Sequence, residues 1–205
     1  MFRFFLIYFY YMGAGILPAT IIKGKVYFLF GKENKYEDFA PGFADFGGGT
    51  NTVRGKKETF METAIREGGE ELTGFLGFGK ELRKRLQKFF PVDYQAEGHD
   101  PYRTHIFWVP YDPYLTYYFN ENQKFLQKRL DPKVYKNSML FEKSEICWFS
   151  LDDLMREKSK FRKFYRNIVD CILEKKEDIK KFLTTVKRKT RRIKSNPRRR
   201  KTKRI

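Results

Sequence analysis

Three glutamates, Glu67, Glu70 and Glu71, have the residue type and the spacing that suit them for chemistry. In an α-helix, where successive residues turn by about 100°, their side chains fall within an arc of about 100° on one face. Like charges so close together repel, and a hard divalent cation that prefers oxygen ligands relieves this repulsion. The pattern therefore predicts a site for Mg²⁺ or Mn²⁺. A solvated acidic helix face balanced by Arg66 is the purely structural alternative.

The residues on either side of these glutamates extend the pattern. In chain order it comprises a glycine-rich turn at Gly47-Gly48-Gly49, then Glu58, Arg66-Glu67, Glu70-Glu71 and Gly74-Phe75. This order resembles the Nudix box, which runs Gly, five residues, Glu, seven residues, Arg-Glu, an aliphatic, any residue, Glu-Glu, any residue, Gly and an aliphatic. The charged positions from Glu58 to Glu71 keep the family spacing throughout.

Several positions depart from that box. Eight residues separate Gly49 from Glu58, so the loop is enlarged. Gly68 stands where the family has an aliphatic, and Gly69 follows it; each glycine costs a helix up to about 1 kcal/mol relative to alanine. Gly74 comes one residue late. These departures affect the packing of the helix and its C-terminal end more than its carboxylate face. A weakened or inactive enzyme is therefore an alternative.

The resemblance implies a fold and a set of roles. Nudix members are α/β/α sandwiches with a mixed central sheet, and they hydrolyse a pyrophosphate linked to a further group. By position, the implied metal ligands are Glu67, Glu70, Glu71 and a backbone carbonyl in the glycine turn, at Gly48. Arg66 and Glu58 would hold those carboxylates in place. The implied catalytic base is a box glutamate, Glu70 or Glu71, or else Glu142, with Glu145 as the next candidate.

The same resemblance covers the chain from about Met12 to Leu154. Gly13–Pro18 and Gly24–Leu29 look like the opening strands of the family, and Phe43–Gly48 looks like the strand that enters the box. Glu142–Leu154 resembles a late strand and the helix that follows it. We therefore expect one domain over residues 12–179, between an apolar extension at 1–11 and a disordered basic tail at 180–205.

The uncharged run from Phe4 to Ile22 raises the question of a membrane span, since about 20 apolar residues cross a bilayer as a helix. Two glycines and a proline interrupt the run, so we favour two buried strands, Phe2–Tyr11 and Gly13–Ile22. A hairpin over Ile21–Phe30 is expected to follow, turning at Lys23-Gly24-Lys25.

Hydrophobic spacing and turn residues predict the other elements. They are loops at Gly31–Phe39 and Ala40–Gly55, helices at Glu58–Leu72, Lys80–Phe90 and from Lys158 onward, strands at Arg103–Val109 and Glu145–Phe149, and a short helix capped by Ser150.

The net charge of +18 is concentrated at one end. Residues 180–204 contain 14 Lys and Arg and no Asp or Glu, which leaves 29 basic and 25 acidic residues in the rest. Such a run predicts a polyanion-binding arm, with nucleic acid as the first partner and anionic lipid as the second. The residues expected to contact RNA are Arg188, Lys189, Arg191, Arg192, Arg198, Arg199 and Arg200. A nuclear-import address is the alternative.

A long phosphate backbone suits this arm, so capped RNA is the leading candidate substrate, with aromatic rings stacking on its base. The candidate stacking residues are Tyr102, Phe107, Trp108 and Tyr111. Diphosphoinositol polyphosphates and nucleotides are alternative substrates, and a non-catalytic RNA-binding protein is the alternative of another class. Two cysteines are too few for a disulfide framework, and they favour an intracellular protein, cytoplasmic or nuclear. Two histidines argue against a His-rich zinc site.

Overall fold

The computed structural model describes residues 12–34, 41–95, 100–137 and 141–195, with the backbone alone at 135–137, 189 and 191–195. Its strands are β1 (Gly13–Ile22), β2 (Lys25–Glu33), β3 (Phe43–Ala44), β4 (Phe46–Gly49), β5 (Thr52–Val53), β6 (Lys56–Lys57), β7 (Phe90–Tyr94), β8 (Tyr102–Trp108) and β9 (Lys143–Ser150). Its helices are α1 (Phe60–Glu71), α2 (Gly79–Arg85), α3 (Leu115–Arg129), α4 (Pro132–Asn137), α5 (Leu151–Arg156), α6 (Tyr165–Glu174) and α7 (Lys176–Ser195).

Strand β1 is the centre of the main sheet. One edge of β1 runs parallel to β8, and the other edge pairs antiparallel with β4 along its first half and with β2 along its second half. Strand β2 then pairs with β9 and β3, and β8 pairs with β7. The sheet is therefore mixed, as the resemblance implied.

Side chains that alternate along these strands build a core on each face of the sheet. Leu17, Phe28 and Phe30 pack with α6 and α7, whereas Ile16 and Leu29 pack with α1, α2 and α3 on the opposite face. Because successive strand residues point to opposite faces, these apolar runs bury both sides. The fold is an α/β/α sandwich, which confirms the predicted class.

The predicted strand Gly13–Ile22 and the hairpin after it are confirmed. Lys23 and Gly24 both have positive φ, 46° and 81°, which matches the right-handed twist of the flanking strands. No helix in the described part of the chain is long and apolar enough to cross a membrane. The predicted segment Phe2–Tyr11 lies outside the described residues.

The two loops predicted between Gly31 and Gly55 are largely strand where the structure describes them. Gly31 continues β2, residues 35–40 lie outside the described ranges, and β3 and β4 follow. The residues added before Glu58 form a small hairpin of β5 and β6, which turns at Arg54 and Gly55. Glu58 and Asn51 pair at its base, with the Glu58 amide 2.9 Å from the Asn51 carbonyl. The enlarged loop therefore projects outward and leaves Glu58 in place.

Three predicted helices differ from the observed ones. Helix α1 begins two residues after Glu58, at a capping box formed by Thr59 and Glu62. Helix α2 ends at Arg85, and Phe90 belongs to edge strand β7, because Pro91 disfavours a helical residue before it. The C-terminal helix is divided near Lys175 into α6 and α7. The helix predicted after Ser150 is confirmed, with its capping box.

Helix α7 corrects the expectation of a disordered tail beginning at residue 180. The helix continues to Ser195, and both Ile179 and Leu183 are buried in the core. The Lys187 ammonium donates a hydrogen bond of 2.7 Å to the Ile21 carbonyl. Because apolar residues recur at helical spacing, the first half of the basic segment 180–204 packs against the domain. Residues 196–205 lie outside the described ranges.

Gly68 is explained by the close packing of α1 against β1. An ideal Cβ at Gly68 would lie 2.3 Å from Cδ1 of Ile16, which is closer than side chains approach each other. The large residue at position 16 and the glycine at position 68 therefore complement each other, and the missing aliphatic does not signal a degraded helix.

Exchanging Gly68 for alanine is expected to lower the free energy of unfolding by about 1–2 kcal/mol, because the clash outweighs the gain in helix propensity. In an Ile16→Ala background the same exchange is expected to stabilise the protein, since the space is then free. Urea unfolding of the four proteins in this double-mutant cycle measures both effects. Equal effects of Gly68→Ala in the two backgrounds would contradict the packing account.

Candidate active site

Arg66 on α1 connects the charged groups of the box. Its guanidinium forms a two-point contact with Glu58, Nε to Oε1 and Nη2 to Oε2, both at 3.0 Å. Nη2 also donates to the Gly49 carbonyl at 2.9 Å. On its other side, Nη1 lies 2.6 Å from Glu67 Oε1 and 3.5 Å from Glu70 Oε2. The predicted holding role of Arg66 and Glu58 therefore has a geometric basis, because a planar guanidinium fixes carboxylates from several directions.

Glu58 is held by more than this arginine. Its Oε2 atom accepts hydrogen bonds from the Asn51 amide at 3.0 Å and from the Thr63 hydroxyl at 3.2 Å. The hydrogen bonds from Arg66 lower the pKa of Glu58, which keeps this carboxylate ionised. Glu58 thus joins the β5–β6 hairpin to α1.

Glu67 faces the glycine strand β4. An ideal Cβ at Gly48 would lie 2.5 Å from Glu67 Oε1, so the carboxylate rests directly on the Gly48 backbone. Burial raises the pKa of Glu67, and Arg66 opposes that rise. Glu67 and the Gly48 backbone, both predicted as metal ligands, therefore lie side by side.

Glu71, the last residue of α1, has a different partner. Its Oε1 atom lies 3.1 Å from the ammonium of Lys143 on β9, and both side chains are buried. Its Oε2 atom is also buried and accepts no hydrogen bond from the described residues. Burial raises the pKa of Glu71 well above its usual range, and the charges of Glu33 and Glu142 add to the rise.

The three box glutamates are therefore divided between two cations. Glu67 and Glu70 share Arg66, whereas Glu71 contacts Lys143. No three His, Cys, Asp or Glu side chains in the described ranges are grouped as a ready set of metal ligands. The predicted convergence holds for Glu67 and Glu70 and does not extend to Glu71.

The donor set nevertheless fits a hard divalent cation. Glu67 lies against the Gly48 backbone, Glu70 is about a third exposed, and Glu71 keeps one buried oxygen without a partner. All of these donors are oxygens, the ligand type that Mg²⁺ and Mn²⁺ prefer.

The two further candidate bases lie in different surroundings. Glu142 directly precedes Lys143, the first residue of β9, which contacts Glu71 at the end of α1. Glu145 pairs with Lys32 at 3.5 Å and lines a separate cleft of about 340 Å³ beside Trp148. Glu142 is therefore next in the chain to a residue that contacts the box, whereas Glu145 lines another cleft.

A second cleft, of about 300 Å³, opens beside β4. Its walls include the glycines of β4, three aromatic side chains and one arginine: Tyr94, Tyr102, Phe164 and Arg162. The Tyr102 and Phe164 rings meet edge to face at 6.0 Å, and the Arg162 guanidinium lies 5.2 Å from the Phe164 ring centre. This glycine-walled cleft adjoins Glu67 through Gly48 and has the aromatic and cationic groups that suit a ring bearing phosphate.

The predicted stacking residues are divided by the fold. Tyr102 lines the glycine-walled cleft, whereas Phe107 is fully buried in the core. Tyr111 is exposed and lies 5.9 Å from the ring of Trp148. Of the four predicted residues, only Tyr102 lines the cleft. All four are aromatic, so residue type alone could not distinguish it from the others.

Sequence reasoning missed a buried polar network behind that cleft. Asp45 accepts hydrogen bonds of 2.7 Å from the hydroxyls of Tyr102 and Thr104. The Thr104 hydroxyl lies 3.4 Å from that of Tyr165. Burial raises the pKa of Asp45 to about 6, even though these hydrogen bonds oppose the rise. Tyr102 is therefore fixed in the cleft wall by a carboxylate that has little access to solvent.

This network predicts a pH-dependent stability. Asp45 has a pKa of about 6 in the folded protein, against 3.8 without burial. Its favourable contribution to the free energy of unfolding is therefore fully present below pH 3.8 and is lost as the pH rises through about 6. This difference between the two pKa values corresponds to about 3 kcal/mol in the free energy of unfolding. Asp45→Asn is expected to recover stability above pH 6, because the Thr104 hydroxyl can turn to donate to Tyr165. Urea unfolding between pH 4 and pH 8 measures this gain, with exposed Asp152→Asn as the control; a gain that does not grow with pH would contradict it.

The predicted nucleic-acid contacts are only partly covered by the structure. Arg188 is exposed on α7. Lys189, Arg191 and Arg192 also belong to α7, but their side chains lie outside the described set, and Arg198, Arg199 and Arg200 lie beyond the described ranges.

No protein-family model matches the chain. No curated protein matches it in sequence. Solved structures similar to it include an Ap4A hydrolase from C. elegans, with 16% identity over 79% of this chain and 94% of that one, at a TM-score of 0.43. A MutT protein from Methanosarcina mazei Go1 has 17% identity over 78% and 91%, at 0.44. A mutT/nudix family protein from Listeria innocua has 13% identity over 82% and 94%, at 0.43. At these scores the likeness carries no functional assignment, which depends on the residues of the site.

Proposed function

We propose that this protein is a metal-dependent pyrophosphohydrolase that cleaves a phosphoanhydride. The observation that carries the proposal is the Arg66 assembly, in which Glu58, Glu67 and Glu70 surround one guanidinium beside the Gly48 backbone. A surface acidic patch without function does not need a half-buried arginine that orders each carboxylate separately. An assembly of this kind is expected where oxygen donors must be kept in position for a cation.

The chain's own groups have separate tasks in this proposal. Glu67 and Glu70 hold Mg²⁺ or Mn²⁺ together with the Gly48 carbonyl, and Glu71 supplies its unpartnered oxygen. Such an ion neutralises phosphate charge and makes a water molecule more acidic. Glu142, which directly precedes the Lys143 that contacts Glu71, is the proposed base that accepts the proton of the attacking water. Arg66 and Glu58 keep the carboxylates oriented and do not contact the substrate.

We further propose capped RNA as the substrate. The glycine-walled cleft provides aromatic rings and Arg162 for a base, and α7 presents basic side chains such as exposed Arg188 for a phosphate backbone. Base stacking on aromatic rings and backbone contacts to basic residues are the usual means of recognising single-stranded RNA.

The test is hydrolysis in Mn²⁺ of three substrates: capped RNA, a diphosphoinositol polyphosphate and a nucleoside diphosphate sugar. Turnover of any of them supports the pyrophosphohydrolase, and preference for capped RNA supports the finer proposal. RNA binding without turnover of any substrate would instead favour the non-catalytic RNA-binding protein.

A test of the basic C-terminal segment requires a deletion that leaves the folded domain intact. A truncation after Ile179 would remove buried Leu183, so the informative variant lacks only residues 196–205. We expect it to turn over capped RNA more slowly and with a weaker dependence on salt, while hydrolysis of a small substrate stays unchanged. Unchanged capped-RNA turnover and salt dependence would contradict a tethering role for this segment.

A further inference from the structure

Lys143 is a buried cation that the proposed chemistry does not use. Its ammonium contacts Glu33 Oε1 and lies 3.1 Å from Glu71 Oε1, and the side chain is fully buried. Arg162 contacts the same Glu33 oxygen at 2.8 Å. Lysine is almost never buried to this degree unless it is paired, so the fold must hold the ammonium there for a reason.

The path of the lysine side chain is built into the sheet. An ideal Cβ at Gly31 of β2 would lie 2.9 Å from Cδ of Lys143, so the absence of a side chain at Gly31 leaves room for the aliphatic stem. The β2–β9 pairing places Glu33 opposite Lys143. The ammonium therefore reaches the end of α1 along a channel that depends on a glycine.

The surroundings of this ammonium are those of a cation site. Glu33 and Glu71 approach it from a strand and a helix, and Glu71 Oε2 is a buried oxygen that accepts no hydrogen bond from the described residues. Two buried carboxylates around this ammonium, one of which also contacts Arg162, form a set that a free divalent cation would also accept.

We propose that Lys143 is a built-in cation that occupies a carboxylate site made by Glu33 and Glu71, where its ammonium replaces a free metal ion. The Oε1 side of Glu71 is then neutralised by the chain itself, which leaves only its Oε2 atom for a metal ion held by Glu67 and Glu70. Deleting the Lys143 side chain is expected to open a site for an added cation. The proposal does not depend on hydrolysis.

Two variants separate charge from volume. Lys143→Ala removes the ammonium and leaves the channel empty, whereas Lys143→Met removes the ammonium and fills most of the channel. We expect Mn²⁺ to raise the midpoint of thermal unfolding of Lys143→Ala by about 5 °C more than that of the wild type. Lys143→Met is expected to respond as the wild type does. Calorimetric titration is expected to find one more Mn²⁺ bound to Lys143→Ala than to the wild type.

Each outcome decides the question. If Lys143→Ala is unfolded without added cation, folding on addition of Mn²⁺ or n-propylammonium, followed by circular dichroism, supports the proposal. Failure of both cations to fold it overturns the proposal, as does an equal response of the two variants to Mn²⁺. Adding Glu33→Gln to Lys143→Ala is expected to abolish the extra Mn²⁺; an unchanged number would also overturn it. Because stability and stoichiometry are measured, absence of hydrolysis would contradict only the proposed function.

Discussion

Glu70→Gln is expected to reduce hydrolysis of a phosphoanhydride substrate by at least about 100-fold, with little change in stability. The carboxylate is about a third exposed, and its one described contact is the 3.5 Å approach to Arg66. The amide keeps the shape of the side chain but removes a charged oxygen ligand, and a change in the groups that merely support a ligand already costs about 10–100-fold. Initial rates at saturating Mn²⁺ with the preferred substrate measure the effect.

The matched control is Glu81→Gln. Glu81 is also a helical glutamate in the first turn of α2, and it is exposed. It is expected to retain full activity and to unfold at the same urea concentration as the wild type. Activity that survives Glu70→Gln unchanged would end the assignment of the α1 carboxylates to catalysis.

Gly48→Ala is expected to lower activity by about 10- to 100-fold, because the new methyl group displaces the Glu67 carboxylate. The ideal Cβ lies 2.5 Å from Glu67 Oε1 and 2.7 Å from its Cδ, so the side chain must move. Misplacing a functional group by about 1 Å can cost about 100-fold in rate. Mn²⁺ affinity by calorimetry is expected to fall together with the rate.

The neighbouring glycine provides the control for this exchange. An ideal Cβ at Gly49 meets no atom within 4 Å, and neither glycine has a positive φ. Gly49→Ala is therefore expected to leave both rate and Mn²⁺ affinity unchanged. If the two alanine variants behaved alike, the contact between Glu67 and Gly48 would not matter for the site.

The part of the site that lies on one helix was predictable from the sequence. Residue spacing on α1 determines which side chains share a face, so the proximity of Glu67 and Glu70 to Arg66 follows from their positions. A holding role for Arg66 and Glu58 was implied by the family resemblance, and their direct contact was seen only in the structure. Turn residues likewise predicted the hairpin at Lys23, and a capping box predicted the helix after Ser150.

The part that depends on distant strands was not predictable. Glu71 turns toward Lys143 because β2 and β9 pair in a register that places Lys143 beside Glu33, and no local pattern reports that register. Asp45 meets Tyr102 for the same reason, across strands that are far apart in the chain. Helix α3 was missed because only Phe119 and Gln123 are buried on it, which is too narrow a stripe to show in the sequence.

The exit of α1 also depends on tertiary contacts. Thr73 and Gly74 both have positive φ, 47° and 76°, and the Gly74 amide donates to the Gly69 carbonyl at 3.0 Å. This hydrogen bond ends the helix in the usual left-handed manner with a threonine at the first position, where glycine is more common. Gly74, one residue later than in the family pattern, is therefore the second of two left-handed residues that end α1. The residue spacing in the sequence did not reveal this arrangement.

Calorimetric titration with Mn²⁺ tests most directly whether the α1 carboxylates hold a divalent cation. We expect saturable binding to the wild-type protein and loss of that binding in the Glu67→Gln, Glu70→Gln double variant, with Glu81→Gln unaffected. An absence of Mn²⁺ uptake by the wild type, or equal uptake by the double variant, would contradict the account.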